Sequence, residues 1–176
     1  MCTTCDLRIE FSINHPMSLA VAVATRRAVD AGLLSDHVVR GGGFQLRKNA
    51  IAALRSVQDR VEQALPKSEF LALPDFFILE IESRTWGFFH ATASGFDPNC
   101  RPDPPRVTAE DAADRDPAIV VSERALRQVL MGKLPFGKAE EQGLIIIDAD
   151  TSRRATLRKA WDFAYPSSGF SGFICN

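Results

Sequence analysis

Residues 118–165 constrain the fold more than any other part of the chain, because starts and stops alternate there at short intervals. Residues 118–121 (AIVV) are rich in β-branched side chains and predict a strand. Ser122 follows as a helix N-cap, with Glu123 in the favourable first turn. Leu126, Val129 and Leu130 form an apolar stripe before Gly132 stops the helix. Lys133-Leu134-Pro135 redirects the chain into a short helix over 136–142, closed by Gly143. Residues 144–147 (LIII) are an unbroken aliphatic run, as in a strand covered on both faces. Asp150, Thr151 or Ser152 then caps a last helix with Leu157, Trp161 and Ala164 on one side, and Pro166 ends it. An architecture that layers helices on a sheet satisfies this order.

Upstream, Leu7, Ile9, Phe11 and Ile13 alternate with polar residues and predict a half-buried strand. Asn14-His15-Pro16 stops it, and His15 beside the turn proline reads as a surface polar group. Residues 17–31 predict a helix with Arg26 and Arg27 near its C-terminal end, stopped by Gly32. Residues 41–43 are three glycines ahead of a long helix over 44–65, striped by Ala50, Leu54, Val57, Val61 and Leu65. The glycines lack phosphate-loop spacing and read as a flexible connection.

Residues 75–81 and 86–94 predict a hairpin around Glu82-Ser83-Arg84-Thr85. Trp86, Phe88, His90 and Thr92 share one face of its second strand, opposite Gly87, Phe89, Ala91 and Ala93. His90 reads as a sheet histidine with a local hydrogen-bond partner. Residues 95–105, with four prolines, predict a long loop, and the acidic stretch 107–115 a turn or two of helix with a solvated face.

A chain of 176 residues fits one domain: a strand and two helices over 7–65, a sheet with helices over 75–165, and a flexible tail over 166–176. The net charge of −1 supplies no global field for nucleic acid or anionic membrane, and no apolar run is long enough to span a membrane. Four scattered cysteines do not make a disulfide framework, and no N-terminal signal is visible. The expectation is a cytoplasmic protein of bacterial type.

The hairpin and the stretch 118–165 together resemble the sterol carrier protein 2 (SCP-2) domain. The residues that carry the resemblance are the Ser-capped helix ending in Gly132-Lys133-Leu134, Ala139 in the short helix, Gly143 with its aliphatic strand, and Asp150 before the closing helix. The Phe/Trp hairpin falls where that family has its first two strands. The resemblance implies an α/β (α+β) fold with a mostly antiparallel sheet of about five strands, helices packed on one face, and an enclosed apolar tunnel. It implies noncovalent binding of a lipid, acyl chain or sterol-like molecule, with Phe77, Phe88, Leu126, Leu130, Met131, Ile146 and Trp161 as candidate wall residues.

Other function classes leave weaker traces. Cys2-Thr3-Thr4-Cys5 has the spacing of two zinc or dithiol ligands, but no second such pair follows. Zinc at Cys2 and Cys5 is the one cofactor the sequence suggests; otherwise none is expected. His15, His37 and His90 belong to no nucleophile elbow, metalloprotease helix or phosphate loop, so catalytic residues are expected to be absent. The Phe-containing tail and the proline-rich loop suit the alternative of an accessory protein-interaction module.

Overall fold

The structure is a computed structural model that describes residues 13–35 and 43–166. The predicted strand over 7–13 lies almost wholly outside them, as do Cys2, Cys5, His37 and the tail after Pro166. The chain runs α1 (Ser18–Asp30), α2 (Gly43–Ala64), α3 (Lys67–Leu71), β1 (Phe76–Glu80), β2 (Thr85–Phe89), β3 (Ala91–Thr92), β4 (Gly95–Phe96), a 3₁₀ turn (Ala112–Asp114), β5 (Ala118–Val121), α4 (Glu123–Leu130), α5 (Phe136–Glu141), β6 (Ile145–Asp148) and α6 (Thr151–Ala164).

The fold is mixed α/β, and the main sheet has four strands among the described residues, in the order β2-β1-β5-β6. The resemblance implies about five strands, and the predicted strand over 7–13 lies almost wholly outside the described residues. The second half of the predicted strand over 86–94 breaks away at His90, and its residues form a separate two-stranded ribbon, β3 with β4. The sheet is also mixed rather than uniform. β1–β2 and β5–β6 are antiparallel, whereas β1 and β5 are parallel, in register Phe77 to Ala118. Local sequence sets the hairpin, but the long 97–117 connection decides on which edge of β1 the chain returns.

Alternation in the strands sorts their side chains onto two faces. Phe76, Ile78, Phe89, Ile119, Val121, Ile145 and Ile147 join the main core under α2, α4, α5 and α6. Phe77, Leu79, Trp86, Ala118 and Val120 point to the opposite face, where Val21 of α1 and Val107 of the long loop cover them. The expectation of helices on one face is therefore corrected. Both faces of the central strands are apolar, so water must be excluded from each, and α1 supplies part of the second cover.

Sequence punctuation explains the local geometry. Ser122 is fully buried and its Oγ accepts from the Ala125 N–H, as an N-cap should. Asp150 caps α6 by accepting from the N–H groups of Ser152 and Arg153. Gly132 and Gly143 close α4 and α5 at φ 68° and 69°, where a Cβ would be strained. Gly87 has a different role. A Cβ there would stand 3.1 Å from Leu54 Cδ1, so its absence lets α2 lie close against β2. The short α3 was not foreseen: Pro66 follows the end of α2 and also begins the next turn of helix.

Candidate functional site

Three places gather polar chemistry against apolar packing. The first lies on the main-core side, where α2, the C-terminal end of α4 and the C-terminal end of α6 meet. Here a cavity of about 80 Å³ is bounded by Arg60, Val129, Leu130, Leu134, Tyr165 and Pro166, among others. Each wall follows from the sequence. Gly132 and Pro135 turn the chain sharply after α4, which leaves Leu130 and Leu134 facing the end of α6. Tyr165 is the C-cap of α6, held by its N–H to the Trp161 carbonyl at 2.8 Å. Trp161 stacks on Phe136 at 4.8 Å and on Tyr165 at 5.2 Å, so the phenol is backed by a rigid aromatic column.

The polar groups of this cavity are unusual for their setting. Tyr165 is buried and its hydroxyl has no hydrogen-bond partner among the described residues. Burial pushes its phenol well above the ordinary value, with Arg60 opposing, so it stays a neutral donor. Arg60 donates from Nε to the Ala164 carbonyl at 3.0 Å and lies 5.9 Å over the Tyr165 ring. A buried hydroxyl without a partner costs about 1–3 kcal/mol, which a bound acceptor would recover. The cavity volume suits a polar head group or about two waters, at about 30 Å³ each.

The second place is a cleft of about 300 Å³ that opens between α1, the β1–β2 turn and α4. Thr25, Arg26, Glu82 and Arg124 line it, and the buried Thr25 hydroxyl has no partner among the described residues. Arg26 pairs with Asp30 at 2.8 Å, and Arg124 donates to the Ser35 carbonyl at 2.9 Å. Glu80, buried at the end of β1, accepts from the N–H groups of Glu82 and Ser83, while Glu82 accepts from the Glu123 N–H at the start of α4. Much of this chemistry thus ties the hairpin turn to a helix N-terminus.

Glu82 keeps an exposed edge, but withdrawal of its carboxyl from water, and then the adjacent Glu80, push it from 4.5 up to about 8. A raised acid holds its proton more tightly folded than unfolded, so this contribution to stability is full below about 4.5 and lost as pH rises through about 8. Urea midpoints taken across that range should fall more for the native protein than for Glu82→Gln. Equal slopes would show that Glu82 ionises as an ordinary surface carboxylate.

The third place is a buried ionic cluster on the outer face of the sheet. Arg115 grips both oxygens of Asp148 at 2.9 Å, and His15 Nε2 stands 3.2 Å from Asp148 Oδ2. His15 was predicted to be a surface group and is instead 2% exposed. The missed signal is tertiary: Asp148, far along the chain, gives the ring a reason to be buried. His90 does have a local partner, with Nδ1 2.8 Å from Asp75 Oδ1, although it lies between β2 and β3.

The candidate wall residues divide between the two faces. Leu126 and Trp161 are fully buried in the main core, and Leu130 packs against it and lines the small cavity. Phe77, Phe88 and Ile146 pack on the outer face, where the two Phe rings are 4.8 Å apart. Met131 is 57% exposed. Tyr165 and Arg60 were missed, because neither an isolated tyrosine nor a helix arginine signals a cavity in the sequence. Among the described residues, no group of three or more His, Cys, Asp or Glu is placed to hold a metal ion. No helix among them is long and apolar enough to cross a membrane. In comparisons with known proteins, no family model, curated protein or solved structure matches the chain.

Proposed function

We propose that the chain binds an apolar small molecule noncovalently, as an SCP-2-like carrier would, with the polar end of the ligand at Tyr165 and Arg60. The observation that carries this reading is the buried Tyr165 hydroxyl, which has no partner among the described residues, on a residue that lines a cavity together with Val129, Leu130, Leu134 and Arg60. Ligand sites typically combine apolar walls with a few polar groups that fix orientation, and they measure about 300–1,000 Å³. The present cavity is smaller, so the apolar body of the ligand must part Leu130 and Leu134 from Tyr165 and Pro166. That movement involves the ends of helices, where few backbone hydrogen bonds have to break.

The segment order over 118–165 supports the same reading: β5, a Ser122-capped α4, the Gly132-Lys133-Leu134 turn, α5, β6 and α6. Binding would draw on about 25 cal/mol for each Å² of apolar surface removed from water. Native mass spectrometry of protein purified without detergent, then offered decanol and decanoic acid, tests the proposal. A one-to-one adduct that weakens in Tyr165→Phe is expected. A clean apo mass in the presence of both probes would refute carrier function and leave a protein-interaction module as the better reading.

A further inference from the structure

The buried ionic cluster has a property that ligand binding does not use. His15 precedes α1, and its Nδ1 accepts a hydrogen bond from the Met17 N–H at 3.1 Å. An accepting Nδ1 carries no proton, so the neutral ring bears its hydrogen on Nε2, on the side of Asp148. Nε2 lies 3.2 Å from Asp148 Oδ2 but outside hydrogen-bond direction, so the contact is electrostatic rather than a directed bond. The two ends of α1 are held differently: Ala28 and Leu34, at and after its C-terminal end, pack in the main core, whereas the His15 end is held on the outer face. The Trp86 indole N–H donates to the Ile13 carbonyl at 3.0 Å, the His15 carbonyl accepts from the Ser18 N–H, and Val21 packs on the outer sheet face.

We propose that His15 is an acid-sensitive latch that holds the N-terminal end of α1 on the outer face of the sheet and releases that end when the ring is protonated. A proton on Nδ1 removes the acceptor for the Met17 N–H and sets one N–H against another. It also places a full positive charge in a site that water does not reach. The charged groups facing the ring are Asp148 from β6 and Arg115 from the segment before β5. Asp148 attracts the imidazolium, but Arg115 already holds both its oxygens and repels a second cation. Arg153 donates to the carbonyls of Ala112 and Ala113 and so steadies the 3₁₀ turn that leads into Arg115. Val21, the α1 residue buried against this face, adds no opposite charge.

Burial is the largest influence and lowers the proton affinity of the ring below that of an ordinary histidine, at 6.5. Its stabilising effect is therefore complete above about 6.5 and is lost as pH falls through the lower folded value. Release withdraws Val21 from this face and loosens the cover of the apolar surface that includes Leu79, Trp86 and Val120, where Val107 remains.

The test is an NMR titration of the full chain labelled with ¹⁵N, following the His15 ring, the Trp86 indole N–H and amide exchange in α1 and α6. The amide of Val21 should lose protection by about tenfold per pH unit below the His15 midpoint, while those of Ala28, Leu157 and Ala160, in the main core, keep theirs. His15→Gln, which does not titrate, should keep α1 protected at the same pH. An acid step that persists in His15→Gln overturns the latch. So does loss of protection in α1 and α6 together, or a His15 that titrates with α1 unmoved. Should His15→Gln fail to fold, comparison of the ring titration with α1 exchange in the native protein decides the matter.

Discussion

Asp148→Ala is expected to destabilise the protein by about 3–5 kcal/mol, the range for breaking a buried ion pair from one side. Asp148 is 7% exposed and is gripped by Arg115 at 2.9 Å through both oxygens. Its loss leaves the guanidinium facing a buried imidazole with no anion between them. Arg115 retains 25% of its side-chain surface, so water relieves part of the penalty and the lower half of the range is expected. Urea unfolding with an unchanged slope and a lower midpoint would be the signature. A loss under about 1 kcal/mol would mean that Arg115 reaches solvent freely and that the cluster contributes little to docking α1.

Trp161→Ala should cost a similar amount, about 3–5 kcal/mol, through cavity formation in the core. The indole is 1% exposed and stands between Phe136 and Tyr165 in one stacked column. Removing it also deprives Tyr165 of its backing, so the small cavity should enlarge as the protein weakens. Trp161→Phe keeps an aromatic surface and should lose considerably less. The pair separates two roles for Trp161. If its side chain only fills the core, both variants take up decanol in proportion to the fraction still folded. If it shapes the ligand cavity, uptake by the folded fraction changes as well.

The fold was legible where its determinants are local. Ser122, Gly132, Gly143 and Asp150 each mark an element boundary through their own backbone chemistry, and the structure places those boundaries close to the predicted ones. The hairpin was legible too, because Trp86 and Phe88 alternate with Gly87 and Phe89 in the manner of a strand. What escaped was non-local. No local signal tells whether β5 lies beside β1 in parallel, or that α1 lends Val21 to the opposite face. The break at His90 was hidden for the same reason. Residues 91–96 leave the sheet for a ribbon whose Phe96 packs against Phe70, Phe76 and Phe89.

The polar sites follow the same rule. His15 and Asp148 read separately as a turn residue and a strand end, and only the folded chain gives either a partner. Tyr165 reads as the last residue of an amphipathic helix. Its significance comes from the cavity that it lines with Leu130, Leu134 and Arg60, which requires three helices to be in place. The candidate wall residues were chosen for being apolar. That criterion selects core as readily as cavity, and they fall on both faces of the sheet.

Chemical-shift mapping with decanol on the ¹⁵N-labelled protein tests the central claim most directly. Binding at the proposed site predicts saturable shifts at Leu130, Leu134 and Tyr165, with the Trp161 indole N–H following, and little change at Leu79 or Val120 on the opposite face. Shifts confined to the outer face, or none at ligand concentrations near its solubility limit, would contradict the assignment of the Tyr165 cavity as the binding site.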